Sequence, residues 1–251
     1  MHRSWSLFLY KTEEELLAEK QPGWLPSYGA SPAMALPGWR ANQAAPGSLT
    51  LPPARRREGS IREFMADGRS ILTLSSREVY RNHWMRVRED DILRSNGQTG
   101  IYGVVEKDDS AIILPIDGDH IWLVEQFRYT IEERALELPQ GGWEMAEVNP
   151  EELARGELRE ELGLHAGQMH SLGSLWIAYG FTRQRQHVYV ATGLTPVPRE
   201  PDAEEHDLVV HRIPIADFEA KMRSGEIRDN CTVSAWGLYL LWKAQHGAFS
   251  S

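Results

Sequence analysis

The sequence is poor in cysteine and has no long apolar run. Cys231 is the single cysteine among 251 residues, so neither an internal disulfide nor a zinc site with several cysteines is available. No apolar run approaches the roughly 18–20 residues that a membrane-spanning helix needs. These two absences argue against a disulfide scaffold and against a helical membrane protein, and they favour a reducing cytoplasm.

The sequence also has no excess of positive charge. It contains 27 Lys and Arg against 36 Asp and Glu, which gives a formal net charge of −9. This balance argues against nucleic acid or an anionic membrane as a partner. A phosphate substrate is still compatible with it, because bound divalent cations reverse the local sign. Acidic residues follow soon after the short apolar patch at the start, unlike a secretory signal or a transit peptide, so we expect a cytoplasmic protein.

What the sequence does contain is a well-delimited helix after a Gly/Pro-rich loop. Asn149 is a good N-cap, and Pro150 suits the first helical position. Gly163 supplies the stop signal. Together these residues predict a helix over Pro150–Leu162.

Three carboxylates share one arc of this predicted helix, at about 100° per residue: Glu157, Glu160 and Glu161. Arg155 and Arg159 fall in a different arc, so we expect them not to neutralise the acids. On the carboxylates alone, a solvated acidic face is the simpler interpretation. A bound hard cation is the alternative that would offset their repulsion. The next arc is apolar and is predicted to pack on the core: Ala154, Leu158 and Leu162.

The sequence around this helix resembles the Nudix box, G-x5-E-x7-R-E-U-x-E-E-x-G-U, where U is aliphatic. Its second half matches position for position: Glu157, Leu158, Glu160, Glu161, Gly163 and Leu164. The resemblance implies that all three glutamates bind Mg²⁺ or Mn²⁺, with Glu160 and Glu161 catalytic. It also implies an enzyme that hydrolyses a nucleoside diphosphate linked to another group, folded as an α/β/α sandwich with a mixed β-sheet.

The match to the box has two departures. Counted back from Glu157, the family's arginine falls on Gly156 and its upstream glutamate on Val148. Counted forward from Gly141, the glutamate position falls on Glu147. The two halves are one residue out of phase, and we place the extra residue in the loop before the helix. Gly156 cannot give the carboxylates the support that the arginine gives in the family, and a glycine inside a helix costs about 1 kcal/mol relative to alanine.

Two segments resemble the ADP-ribose pyrophosphatase branch of this family. Residues 123–129, LVEQFRY, resemble a strand with a substrate-binding arginine, which implies that role for Arg128. Residues 137–142, ELPQGG, resemble the branch's ELPAG segment. This second likeness implies that Glu137 binds substrate and that a backbone carbonyl near Gln140 joins the metal shell.

Three more segments extend the likeness to this branch. Residues 200–211 resemble a loop that contributes an acidic base or a further metal ligand, which implies Glu204 or Glu205. Residues 76–92 resemble an N-terminal subdomain that builds a homodimer, and residues 225–236 resemble a C-terminal signature. Each of these residues also has an ordinary alternative. Arg128 could form a surface ion pair, Glu137 could be an exposed strand residue, and residues 200–211 could be a solvated acidic loop.

The sequence predicts a mixed α/β domain after a Pro/Gly-rich, poorly ordered extension over residues 1–68. We expect the Nudix domain over residues 69–246, with residues 69–105 as its N-terminal subdomain. Strands are predicted at 102–105, 111–115, 121–127, 174–177, 187–191 and 208–211. Helices are predicted at 150–162, 216–224 and 233–245, the last packed in the core around much of its circumference.

The resemblance implies hydrolysis of ADP-ribose to AMP and ribose 5-phosphate by a homodimer, with a small-molecule substrate and no nucleic-acid or membrane partner. One alternative is hydrolysis of another nucleotide sugar or dinucleotide, such as GDP-mannose or a diadenosine polyphosphate. It is left open because residues 178–181 depart from the branch's Ser-Pro-Gly turn. A weakly catalytic, nucleotide-sensing module is a second alternative, and Gly156 is the residue that favours it.

Overall fold

The computed structural model describes residues 68–142, 149–199 and 207–247. All of them fall within one unit of the chain, Ala54–Ser251. The extension expected over residues 1–68 lies outside the described residues except for Gly68. In the described part of the chain, no helix combines the length and apolar character needed to cross a membrane.

Strands dominate the described chain, and three helices accompany them. The strands are β1 (Ile71–Arg81), β2 (Arg86–Arg94), β3 (Thr99–Glu106), β4 (Ser110–Asp117), β5 (His120–Arg128), β6 (Glu133–Glu137), β7 (Gln140–Gly142), β8 (Leu164–Trp176), β9 (Thr182–Arg183), β10 (Arg185–Pro196) and β11 (Val209–Pro214). The helices are α1 (Pro150–Leu162), α2 (Ile215–Ser224) and α3 (Asn230–His246).

The first three strands form an antiparallel sheet, the N-terminal sheet, which the short strand β9 joins in parallel beside β3. Two bonds reinforce this junction. The backbone N–H of Val105 donates to the carbonyl of Phe181 at 2.8 Å, and the hydroxyl of Tyr102 donates to the carbonyl of Gly180 at 2.5 Å. The N-terminal sheet is therefore bonded to the turn that leads into β10.

The second sheet is mixed and has the order β11-β5-β4-β10-β8, with β6 added beside β5 and β7 beside β4. Strands β4 and β10 run parallel, and the other pairs in this sheet are antiparallel. Strand β4 reads as a nearly continuous apolar run because both of its faces are buried.

Helices cover both faces of the mixed sheet. Alternate residues of β4 enter opposite cores, with Ile112 on one side and Ile113 on the other. The first core includes Phe218 of α2 and Trp236 of α3, whereas the second includes Leu158 of α1. This arrangement confirms the predicted α/β/α sandwich with a mixed sheet.

The sequence-based elements are confirmed for the helices and for the central strands, with one correction. Helix α1 has the predicted bounds, and α2 and α3 start one and three residues earlier than expected. The expectation that α3 is buried around much of its circumference is wrong for Leu241, which is 66% exposed, and for the exposed Leu240. Both lie away from the side that places Trp236 and Tyr239 in the core.

Candidate active site

Helix α1 presents the candidate glutamates, and local signals fix both of its ends. The side-chain oxygen of Asn149 accepts a hydrogen bond from the backbone N–H of Glu151 at 2.9 Å, with Pro150 in the first turn. Gly163 closes the helix in the left-handed region at φ 64°, and its N–H donates to the carbonyl of Arg159 at 2.9 Å. These caps fix where α1 begins and ends, and its core residues Ala154 and Leu158 set the side that faces the sheet.

Two of the three candidate glutamates are buried. Glu157 is 6% exposed and Glu161 is 1% exposed, on a side of α1 that also carries the core residues Ala154 and Leu158. The interpretation as a solvated acidic face is therefore wrong for these two residues. Glu160 is half-buried at the edge of the same surface. Burial of a carboxylate is costly without compensating partners, so the contacts of the buried pair matter most.

The carboxylate of Glu157 lies over the backbone of Gly141. A Cβ at position 141 would overlap the Oε1, Cδ and Oε2 atoms of this side chain. Gly141 pairs with Ala111 of the central strand β4, so moving its backbone aside would disturb the sheet. A side chain at position 141 would therefore displace the carboxylate of Glu157, and Gly141 belongs to the candidate site.

The carboxylate of Glu161 is bonded to the residue before that glycine. Its Oε2 accepts a hydrogen bond from the backbone N–H of Gln140 at 3.1 Å. Glu157 and Glu161 are one helical turn apart, and they contact consecutive residues of β7. The structure thus brings Gln140, Gly141 and the two buried acids together, as the sequence predicts for all but the glycine.

The arginines of α1 divide between two roles. Nη2 of Arg159 lies 3.5 Å from Oε1 of Glu160, so the expectation that the helix's arginines stay away from the acids is wrong for Arg159. A long side chain bridges the angular separation that a Cα-based helical wheel suggests. Arg155 does point elsewhere: it donates to the carboxylate of Glu151 and to the carbonyl of Ala166, both at 2.9 Å.

The donor atoms on this surface suit a hard divalent cation. Carboxylate oxygens and backbone carbonyls are ligands that Mg²⁺ and Mn²⁺ take in proteins. Because Gly141 has no side chain, the carboxylate of Glu157 occupies the space where a Cβ would lie. Across residues 68–142, 149–199 and 207–247, no group of three or more His, Cys, Asp or Glu side chains already has the arrangement of a metal site. The ligand set of Glu157, Glu160, Glu161 and Gln140 therefore stays a prediction.

Arg128 and Glu137 form an ion pair at the ends of β5 and β6. Nη2 of Arg128 lies 2.6 Å from Oε1 of Glu137, although the approach is not aligned as a hydrogen bond. Glu137 is only 2% exposed, so the interpretation as an exposed strand residue is wrong. Burial, with a contribution from the nearby charge of Asp229, raises the pKa of Glu137, and the guanidinium of Arg128 opposes this effect. Glu137 thus fixes the arginine that the resemblance assigns to substrate.

Two residues that the sequence analysis does not single out hold the segment between β6 and β7. Thr232 is fully buried, and its hydroxyl accepts from the backbone N–H of Leu138 at 3.0 Å and donates to Oδ2 of Asp229 at 2.7 Å. Asp229 caps α3 by accepting from the backbone N–H of Thr232 at 2.8 Å. Aspartate is a common N-cap, but the apolar pattern of this segment predicts a helix only from residue 233, so it does not indicate the cap.

Several sequence-based candidates cannot be placed in this site. Glu204 and Glu205, the candidates for the base, lie outside the described residues, as does Glu147.

The single cysteine, Cys231, is half-buried. Burial raises the pKa of its thiol to about 11, so it is not a thiolate at neutral pH.

Comparison with known families decides the assignment. Residues 71–105 match the nucleoside diphosphate sugar hydrolase N-terminal domain, and residues 106–231 match the NUDIX domain. The chain belongs to the Nudix family. It is a Nudix hydrolase, and the two matches divide it into the N-terminal sheet and the sandwich that carries α1.

Similar proteins of known name agree with this assignment. The chain is 34% identical to an ADP-ribose pyrophosphatase of Mycobacterium tuberculosis over 164 residues, which cover 64% of this chain and 79% of that protein. It is 30% identical to a methanol dehydrogenase activator of Bacillus methanolicus over 138 residues, which cover 55% of this chain and 74% of that protein. A solved structure of an ADP compounds hydrolase superposes with a TM-score of 0.63 at 25% identity, covering 71% of this chain and 97% of that one.

Proposed function

We propose that this Nudix hydrolase splits the diphosphate bond of ADP-ribose into AMP and ribose 5-phosphate in the cytoplasm, with Mg²⁺ or Mn²⁺ as cofactor. The observation that carries the proposal is the burial of Glu157 and Glu161 against consecutive residues of β7. Burial of a carboxylate is costly unless it is paired, hydrogen-bonded or bound to a metal, and such buried acids cluster at functional sites. The ADP-ribose pyrophosphatase among the similar proteins supports the choice of substrate.

The reaction adds water across the diphosphate bridge. Water attacks one phosphorus atom, the bond from that phosphorus to the bridging oxygen breaks, and a carboxylate takes the proton from water. Glu157, Glu160, Glu161 and the carbonyl of Gln140 would hold the metal. When bound, the metal neutralises phosphate charge and lowers the pKa of bound water.

Other residues have the remaining roles in this mechanism. Arg128 orients a phosphate or the terminal sugar of the substrate, while Glu137 holds the guanidinium in place. Glu204 or Glu205 accepts the proton, or a glutamate of α1 does so. These assignments rest on the family resemblance and, for Arg128 and Glu137, also on the ion pair between them.

A substrate panel tests the proposal. Wild-type protein is incubated with ADP-ribose, GDP-mannose and a diadenosine polyphosphate, each with Mg²⁺, with Mn²⁺ and with EDTA, and the products are separated by chromatography. We expect AMP and ribose 5-phosphate from ADP-ribose with metal and no products with EDTA. If another compound is hydrolysed faster than ADP-ribose, that compound becomes the proposed substrate. Binding of ADP-ribose without metal-dependent turnover would favour a sensing module.

Substitution of the glutamates tests the site itself. Changing Glu160→Gln and Glu161→Gln together removes two candidate metal ligands, and we expect kcat to fall on the order of 100-fold or more. Glu152→Gln is the matched control, since Glu152 is an exposed residue of the same helix. A double variant that keeps its fold by circular dichroism and also keeps wild-type turnover would sink the assignment.

We also propose that the protein is a homodimer that assembles through the N-terminal sheet. The register aligns Tyr80, Val87 and Val105 in one row across the three strands, so their side chains share a face. Ile101 lies on the same face and is 54% exposed. The opposite face carries Asp90, which is buried. The same face also carries the Arg77–Glu89 ion pair, and exposed apolar side chains bordered by charged ones are typical of an interface.

A further inference from the structure

Both the nitrogen and the oxygen of the Gln140 side-chain amide form hydrogen bonds. Its Nε2 donates to Oε2 of Glu137 at 3.0 Å and to Oδ2 of Asp229 at 3.1 Å. Its Oε1 accepts from Nε2 of Gln186 at 2.8 Å. A primary amide has two N–H donors and one carbonyl, so these three bonds use both donors and leave the amide a single orientation.

The partners of this amide come from three different elements and are themselves fixed. Glu137 ends β6 and is paired with Arg128. Asp229 caps α3 through the backbone N–H of Thr232. Gln186 belongs to β10 and is buried. The amide therefore links β6, α3 and β10 at the point where the chain enters β7.

The backbone of the same residue contacts a candidate metal ligand. The N–H of Gln140 donates to Oε2 of Glu161 at 3.1 Å, and Glu161 is almost fully buried. Rotation of the 139–140 peptide would move this N–H, and the side-chain bonds of Gln140 oppose such rotation. The direction of the Glu161 carboxylate thus depends on a side chain that does not itself touch it.

We propose that the side chain of Gln140 is a positioning residue that sets the affinity of the site for divalent cations by orienting Glu161. This inference rests on the proposed function, because it takes Glu161 as a metal ligand. It also supplies a substitute for the missing arginine: with Gly156 in the helix, support for the buried acid comes from the loop and from β10. Outer contacts of this kind are worth about 10–100-fold in metal affinity.

The test replaces Gln140→Met, which keeps the approximate volume and removes all three side-chain hydrogen bonds while retaining the backbone N–H. Mn²⁺ binding is titrated without substrate by electron paramagnetic resonance, and kcat and KM for ADP-ribose are measured over a range of Mn²⁺ concentrations. We expect Mn²⁺ to bind on the order of 10-fold more weakly. Saturating Mn²⁺ should restore most of kcat with little change in the KM for ADP-ribose.

Two further variants sharpen the result. Gln186→Met removes one partner of the amide without touching a candidate ligand, and we expect a smaller loss of Mn²⁺ affinity that is not additive with Gln140→Met. Gln168→Met is the matched control, because Gln168 is an exposed glutamine of β8. We expect it to bind Mn²⁺ as the wild type does.

The outcomes separate this inference from the proposed function. Wild-type protein that neither binds Mn²⁺ nor hydrolyses the substrates would sink the function. Wild-type protein that does both, with a Gln140→Met variant of equal Mn²⁺ affinity, would overturn only the positioning role. If Gln140→Met unfolds at the assay temperature, measured by circular dichroism, Gln186→Met decides instead, and wild-type Mn²⁺ affinity in that variant would overturn the positioning role.

Discussion

At the scale of single residues, two glycines decide how the acidic helix is supported. Gly156 is buried on α1 at the position where the family resemblance has an arginine, so no guanidinium reaches the acids from there. Gly141 lies under the carboxylate of Glu157 and admits it only because it has no side chain. The buried acids of α1 therefore depend on the backbone of β7.

Gly141→Ala tests this dependence. The added Cβ would overlap the Glu157 carboxylate, so either that side chain or β7 must shift. We expect a stability loss of about 1–3 kcal/mol, as for overpacking in a core. We also expect Mn²⁺ to bind on the order of 10-fold more weakly. Urea unfolding and isothermal titration with Mn²⁺ measure the two effects.

The neighbouring glycine provides the control for that variant. A Cβ at Gly142 would lie 3.5 Å from the carbonyl oxygen of Asp109, which is an ordinary contact. Gly142→Ala should therefore leave Mn²⁺ binding unchanged. Equal Mn²⁺ affinities for Gly141→Ala and Gly142→Ala would contradict the account of the close approach.

At the scale of elements, the sequence predicts the bounds of a helix well where capping residues mark its ends. Helix α1 has a capping asparagine, a proline at its start and a glycine at its end, and its bounds are predicted to the residue. Helix α3 was predicted to start three residues late. Its cap, Asp229, lies in a polar stretch without apolar periodicity, so the pattern alone did not mark it.

The strands that sequence reasoning missed have weak or mixed patterns. Strand β2 contains four consecutive charged residues, at positions 88–91, which form ion pairs and hydrogen bonds within the N-terminal sheet, so its sequence does not have the pattern of an apolar strand. Strands β7 and β9 are two or three residues long, too short for any periodicity. Gln186 lies between Arg185 and His187 at the start of β10, and only the structure reveals that it donates to Gln140.

The charged face of the N-terminal sheet predicts how stability depends on pH. Burial alone would raise the pKa of Glu106, but hydrogen bonds from Arg88 at 3.0 Å and Arg86 at 2.6 Å outweigh it, so the pKa is lowered from 4.5. A lowered folded-state pKa contributes stability above the unfolded-state value, and this contribution is lost as the pH falls through the folded-state pKa. Glu106→Gln should therefore be less stable than wild type by about 1–3 kcal/mol at pH 7.

Thermal and urea unfolding from pH 7 down through 4.5 and below check this expectation, and the difference between wild type and Glu106→Gln should shrink over the acidic part of that range. Glu89→Gln is the control from the same sheet. Its partner Arg77 is 71% exposed at the side chain, and surface pairs of this kind contribute little. If the difference in free energy of unfolding between wild type and Glu106→Gln stayed constant over the whole pH range, the lowered pKa of Glu106 would not be the source of the stability.

At the scale of the whole molecule, the exposed apolar side chains of Tyr80 and Ile101 on the N-terminal sheet predict self-association. Ile101→Glu would place a charge in the proposed interface, where it has no partner and would be desolvated. We expect wild-type protein to elute as a dimer and the variant as a monomer. Size-exclusion chromatography with light scattering measures this difference.

Leu241→Glu is the matched control for the change of oligomeric state. Like Ile101, Leu241 is an exposed aliphatic residue of the same size, but it lies on α3 rather than on the N-terminal sheet. This variant should keep the wild-type mass. A monomeric wild type, or dissociation by both substitutions alike, would rule out assembly through the N-terminal sheet.

The junction between β3 and β9 has a consequence for how such proteins diversify. The two family matches meet between residues 105 and 106, which suggests a seam for exchanging parts. Tyr102 and Val105 nevertheless bond to residues 180–181 of the second match. A chimera that joined the first segment to the catalytic domain of a distant relative would have to recreate those bonds. Recombination at this boundary would therefore lose both hydrogen bonds unless the new partner supplied equivalent ones.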